Sequence, residues 1–248
     1  WYTQGGTFST LIVDEWMKQG YAAVTSTLNI FGSNCNDLLS SETVAMTKER
    51  FIEAYGVPVY TIGTGGSGGA YQSFQTSDNY PGLFDGIIVN SVFPDVTSAT
   101  LFKLFDSRLL NNYFNRPGGL AYTDEKKKAI SGYLQVGNIS AMSTSAGRLD
   151  PVLSFPSGFP EELKYHPVDR PSGARATVYD HTVNVYGKDS RGFALRPIDN
   201  VGVQYGLKAL NDGVITVEEF LDLNANIGGL DVDLQPTPQR TSGDLDAI

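Results

Sequence analysis

Hydrophobic and polar positions follow two different spacings along the first 95 residues. Apolar side chains recur three or four positions apart at 8–19 and again from about 40 to 56, which predicts two amphipathic helices. Short apolar runs predict three strands, at 21–30, 57–63 and 86–93. A further helix is predicted from Ser67 to Asp78. The alternation of helices and strands favours an α/β fold with a parallel sheet covered by helices on both faces.

After Asp95 this alternation is lost. Helical spacing recurs at 98–113 and 124–136, and a Ser/Gly/Pro-rich stretch at 138–173 predicts a long loop. We interpret 1–95 as the central βα units, 96–175 as a cap or insertion over the sheet, and 176–248 as the remainder of the core or cap. Within the last part, 175–187 predicts a strand, 197–213 and 216–229 predict two helical segments, and the polar tail from Gln235 is predicted to be loose.

Composition narrows the classes of function. Of 248 residues, 41% are hydrophobic and the net charge is −9, which suits a globular protein and disfavours nucleic-acid binding. The Lys126–Lys128 triplet follows two acids and is typical of a solvated helix face. No apolar run reaches the roughly 20 residues that span a bilayer, so no membrane segment is predicted. The single cysteine, Cys35, excludes an internal disulfide and a cysteine-rich zinc site.

The glycine-rich segment YTIGTGGSGGAYQSF, residues 60–74, is the strongest candidate for chemistry. A phosphate loop of the Walker type requires a lysine, and 63–69 contains none. Residues 63–68 match the dinucleotide pattern G-x-G-x-x-G. That fingerprint also needs an acid at the end of the next strand, whereas Asp85 precedes the predicted strand and Asp95 lies past its end.

The segment also fits a nucleophile elbow, G-x-S-x-G, centred on Ser67. The serine of such an elbow occupies a tight turn between a strand and a helix, so the residues two positions before and after it, Gly65 and Gly69, must be small. The backbone N–H of Gly68 is then the expected oxyanion donor, and Gly66 helps to keep the site open to substrate. A glycine-rich turn with an idle serine is the remaining alternative.

These motifs resemble the α/β-hydrolase superfamily. The strand VPVYTIG, the elbow GGSGG and the segment GLFDGIIVNSVFPD are similar to the central βαβ unit of that fold. Over most of the chain the sequence is similar to a group of secreted bacterial hydrolases distantly akin to tannases and feruloyl esterases. The resemblance implies a secreted or periplasmic serine hydrolase of carboxylic esters, aromatic or polymeric ones included, that acts without a cofactor.

A serine nucleophile needs a base, and the chain has two histidines, His166 and His181. The order serine, acid, histidine of the superfamily is met by Ser67, Asp95 and either His181, which we favour, or His166. Structural roles are the alternative for each: a hydrogen-bonded histidine within a sheet for His181, a surface loop residue for His166 and a helix cap for Asp95. In the superfamily, further strands flank this region and carry the acid and the base. We therefore expect that a missing segment or another chain completes the sheet and supplies them.

Two further hypotheses belong to other classes. The first is a hydrolase-like chain without activity that acts as a structural or binding part of a larger assembly. The second is calcium binding at 211–220 or at Asp222, Asn224 and Asn226. The first loop lacks two ligand positions, and Ile227 replaces a required glycine in the second, so no metal site is predicted.

Overall fold

A computed structural model describes residues 13–29, 36–93, 100–155 and 158–248. The chain divides into two compact units, 1–95 and 96–248, which are described separately. In order along the chain, the helices and strands are α1 Asp14–Lys18, α2 Asp37–Tyr55, β1 Ile62–Gly66, α3 Gly68–Asn79, β2 Gly86–Asn90, α4 Leu101–Phe114, α5 Asp124–Ser131, α6 Gly137–Ser145, α7 Val178–His181, α8 Val183–Tyr186, α9 Leu207–Asn211, α10 Val217–Asn226, β3 Gly229–Leu230 and β4 Pro236–Thr237.

The first unit is a small α/β arrangement. β1 and β2 pair in parallel, with Ile62 opposite Gly86 and Gly66 opposite Asn90. α3 connects the two strands and packs against both, and α2 packs against α3. The Asn36 side chain begins α2 by accepting a hydrogen bond from the Leu39 N–H at 2.8 Å. The predicted βαβ unit with parallel strands is therefore present.

The described residues do not contain a parallel sheet as large as the sequence predicts. In the described residues the parallel sheet has two strands, so a full α/β-hydrolase sheet with helices on both faces is absent from them. The predicted strand at 21–30 is wrong over 21–29, where a 3₁₀ turn, Thr27–Asn29, is the regular element. Tyr21 and Val24 are about half exposed. A strand requires a second strand to pair its backbone groups, and no strand pairs with this segment among the described residues.

The second unit is largely helical. Its core contains α4 residues such as Leu104 and Leu109 together with Ile139, Leu149 and Leu223. The long loop predicted at 138–173 is wrong at its start. α6 lies there and packs against α4, because Ile139 and Ser143 face the core and small residues around them allow close approach. The segments 96–175 and 176–248 share this core.

Two more predictions for the second unit are corrected. The predicted strand at 175–187 is two short helices, α7 and α8, because a reciprocal capping box of Thr177 and Asp180 begins α7. The tail from Gln235 is anchored rather than loose. β4 pairs with β3, and the buried Asn200 side chain accepts the Thr241 N–H at 2.7 Å. In the described residues, no helix is both long and apolar enough to cross a membrane.

Candidate active site

Ser67 is the single residue between the end of β1 and the start of α3. Its backbone has φ 53° and ψ −111°, a conformation that residues with a side chain rarely adopt. The Ser67 N–H donates to the carbonyl oxygen of Asn90 at 3.2 Å, and the Ser67 carbonyl accepts from the Tyr71 N–H at 3.1 Å. Hydrogen bonds to the next strand and to the first turn of α3 therefore hold this strained turn.

Gly65 explains why the strand and the helix approach so closely. A Cβ atom on Gly65 would lie 2.8 Å from the backbone Cα and C atoms of Gly69, closer than real side chains come. A Cβ on Gly69 would meet nothing within 4 Å. The elbow motif predicts a small residue at both positions, whereas the geometry requires one only at Gly65.

The Ser67 side chain is exposed at the carboxyl end of the parallel strands, the edge at which open α/β sheets bind ligands. Gly68 and Gly69 form the first turn of α3, where the leading N–H groups have no carbonyl partner within the helix. These N–H groups and the helix dipole favour negative charge next to Ser67. The arrangement is suited to stabilising an oxyanion, with Gly68 immediately after the serine.

Asn90 and Ser91 also lie at this edge, and neither is among the site residues predicted from the sequence. The Asn90 side-chain oxygen lies against Gly66, 2.5 Å from where a Cβ would stand. Ser91 has a positive φ of 49°, and its hydroxyl donates to the same Asn90 oxygen at 3.2 Å. Both lie inside the run 86–93 that the sequence predicts as one strand. Two adjacent polar residues in this otherwise apolar run were the available signal that the strand ends there, and residues at the carboxyl ends of parallel strands meet at one edge.

Two aromatic rings lie on the same unit. Tyr71, one turn after Ser67, stacks on Phe93, which follows β2, with ring centroids 5.5 Å apart and planes 10° from parallel. A stacked pair of this kind offers an apolar surface to a planar group.

The residues predicted for catalysis are not all found in one unit. Ser67, Gly66 and Gly68 lie together in the first unit, whereas His166 and His181 belong to the second, and Asp95 lies outside the described residues. His181 is exposed on α7, and its ring makes no hydrogen bond or ion pair within the described part of the chain. It is on a helix, not in the sheet that the sequence predicted.

His166 is engaged in its own turn. Its Nδ1 accepts the Asp169 N–H at 3.0 Å and the Val168 N–H at 3.3 Å. The Asp169 carboxylate lies 3.2 Å from the same nitrogen. This nitrogen stabilises a loop, which is the structural role that the sequence left open for His166.

The residues considered for calcium are occupied by protein partners. The Asp222 carboxylate accepts from the Tyr113 hydroxyl at 2.6 Å and pairs with Arg116, and the Asn224 amide donates to the Tyr205 carbonyl at 2.8 Å. Among the residues that the structure describes, no group of three or more His, Cys, Asp or Glu side chains could hold a metal ion.

Comparison with known proteins identifies the family. A family model described as a tannase-like family of unknown function (DUF6351) matches residues 1–248, so the chain belongs to this family. The tannase-like description agrees in its coarse sense with the resemblance to tannase-related hydrolases, and it assigns neither a serine mechanism nor a substrate. Searches of curated proteins and of solved structures found no match.

Proposed function

We propose that this protein hydrolyses carboxylic esters through an acyl-enzyme on Ser67. The backbone of Ser67 supports the proposal most, because a serine held at φ 53° between a parallel strand and a helix carries strain that a purely connecting turn does not need. Membership of a tannase-like family agrees with an ester hydrolase. The stacked rings of Tyr71 and Phe93 favour esters with an aromatic group, small or polymeric.

In the proposed reaction, Ser67 Oγ attacks the ester carbonyl carbon while a base takes the hydroxyl proton. The carbonyl oxygen becomes an oxyanion, which accepts a hydrogen bond from the Gly68 N–H at the start of α3. Collapse of this intermediate expels the alcohol, which receives the proton from the base and leaves an acyl group on Ser67. Water then attacks the acyl group by the same steps and releases the carboxylic acid.

Of the two histidines, His181 is the better candidate for the base. Its imidazole is exposed and has no partner among the described residues, whereas His166 Nδ1 already accepts two backbone N–H groups. Asp95 remains the proposed acid of this triad on sequence order alone. Separate replacement of His181 and His166 by alanine tests the choice. Loss of hydrolysis in His181→Ala, with His166→Ala active, is the expected result.

The direct test is hydrolysis of p-nitrophenyl acetate and p-nitrophenyl benzoate by the wild type and by Ser67→Ala. We expect kcat/KM to fall by about a thousandfold or more in the variant, as when a nucleophile is removed. Ser77→Ala is the matched control, since Ser77 lies on α3 and its hydroxyl donates to the Ser73 carbonyl at 2.8 Å. Equal rates for Ser67→Ala and the wild type would refute the proposal.

The alternative is a hydrolase-like chain without activity that acts as a binding or structural part of an assembly. The two-stranded parallel sheet in the described residues favours it, because parallel sheets are usually larger and covered on both faces. A folded wild-type protein that hydrolyses none of a broad set of activated esters would support this alternative.

A further inference from the structure

The second unit contains an open pocket, and one of its lining residues, His181, is the base proposed above for Ser67. Its volume is about 410 Å³, within the range of small-molecule sites. The end of α6, the following 3₁₀ turn, the 153–155 stretch and α7 form its walls. Its lining includes three apolar side chains, Leu153, Phe155 and Val178, and three polar ones that matter for binding, Arg148, Ser154 and His181.

The loop that carries Leu153 and Phe155 is held in place. The buried Asp150 carboxylate accepts the backbone N–H groups of Val152 at 2.8 Å and Leu153 at 3.2 Å, which sets the turn before this loop. The Phe155 ring packs against the Phe159 ring, with centroids 4.8 Å apart. This part of the lining is therefore pre-formed, which lowers the cost of ordering it around a ligand.

The polar lining residues offer hydrogen-bond donors without partners. The Ser154 hydroxyl oxygen is buried and has no hydrogen bond among the described residues. A buried polar atom in this state costs free energy unless a ligand or water satisfies it. Arg148 and His181 are exposed, and neither the guanidinium nor the imidazole makes a hydrogen bond or ion pair with any described residue.

The described lining of the pocket contains a positive charge and no negative one, whereas the whole chain has a net negative charge. The protein has 27 Asp and Glu residues against 18 Lys and Arg, yet none of the described residues that line the pocket is acidic. An arginine without a carboxylate partner in such a chain favours an anionic ligand. The planar guanidinium matches a carboxylate through two parallel hydrogen bonds.

We propose that this pocket binds a small organic acid, with its carboxylate on Arg148 and its apolar body against Leu153, Phe155 and Val178. Ser154 and His181 add hydrogen bonds to the carboxylate. An ester hydrolase would release such an acid, but the inference goes beyond the proposed function and requires no turnover. It stands on the pocket alone and holds whether or not Ser67 is a nucleophile.

Benzoate is the probe for this site, and benzyl alcohol is its neutral analogue of similar size. In isothermal titration calorimetry we expect benzoate to bind at least about tenfold more tightly than benzyl alcohol and than inorganic phosphate. Arg148→Gln should weaken benzoate by about tenfold or more, because it removes the charged fork. Arg191→Gln is the matched control. It removes the same charge from an exposed arginine of the same unit that pairs with Asp189, and it should leave binding unchanged.

A second measurement does not depend on any variant being stable. The chain has 2 histidines, so its imidazole Hε1 protons give two NMR signals. Saturating benzoate should shift the signal of His181 and leave that of His166 in place. Equal binding of benzoate and benzyl alcohol, unchanged affinity in Arg148→Gln, or an unmoved His181 signal would each overturn the proposal. Phosphate binding as tightly as benzoate would overturn the organic-acid class.

Discussion

The backbone of Ser67 makes a quantitative prediction that concerns stability rather than activity. Its φ of 53° and ψ of −111° are accessible to glycine but strained for any residue with a Cβ. Such strain costs about 1–3 kcal/mol. Part of this advantage of glycine is offset, because the greater freedom of glycine in the unfolded chain lowers stability by roughly 0.5–1 kcal/mol relative to alanine. We therefore expect Ser67→Gly to be more stable than Ser67→Ala by about 1 kcal/mol, a rise in Tm of roughly 2–4 °C for a chain of this size.

Comparing the glycine and alanine variants isolates the free-energy cost of the backbone conformation at position 67, because both variants lack the hydroxyl. Urea denaturation followed by circular dichroism, together with thermal melting, measures the difference. The same pair at Ser77, inside α3, provides the control. There glycine should be less stable than alanine by about 1 kcal/mol, as in any helix interior. A Ser67→Gly variant no more stable than Ser67→Ala would show that the turn is not strained and would remove the main support for a nucleophile elbow.

Three further predictions concern the elbow and the second unit. Gly65→Ala should destabilise the first unit and abolish ester hydrolysis, because its Cβ would lie 2.8 Å from the Gly69 backbone. Gly69→Ala is the control and should fold normally. Thermal melting and ester hydrolysis are measured for each variant. Asn200→Ala should lose roughly 2–4 kcal/mol in urea denaturation, because it leaves two backbone groups in its buried surroundings without a partner. Burial raises the pKa of Asp222, but hydrogen bonds from Tyr113 and Arg116 lower it overall. The stability that the Asp222 carboxylate adds to the folded protein is therefore fully present above the ordinary aspartate pKa of about 3.9. It is lost as the pH falls through the lower pKa that Asp222 has in the folded state. Stability measured from pH 6 to pH 2 should fall less steeply in Asp222→Asn than in the wild type.

The local conformation around Ser67 was the part of this molecule that the sequence predicted well. The glycine–serine pattern between an apolar run and a helical segment indicated a turn at Ser67, and the turn lies there between β1 and α3. β1 spans Ile62–Gly66, which is closer to the glycines than the strand predicted at 57–63. Pairing with β2 defines that strand, and its partners begin at Ile62 and Gly86.

The prediction failed where a cap or a distant contact decides the structure. Val178 to Tyr186 is rich in β-branched residues, yet it forms two short helices. The Thr177–Asp180 capping box that begins the first of them is a signal that the sequence contained and that the strand prediction overlooked. The tail could not be predicted from its own polarity. Thr241 is anchored by Asn200, and Arg240 donates to the Asn224 carbonyl at 2.9 Å, contacts that local composition does not reveal.

The most direct test of the central claim is covalent labelling of the folded protein by a fluorophosphonate, followed by peptide mass spectrometry. We expect one stoichiometric adduct on Ser67, absent after heat denaturation and absent in Ser67→Ala, with Ser77→Ala labelled like the wild type. A folded wild-type chain that remains unlabelled, or an adduct on a different serine, would contradict it.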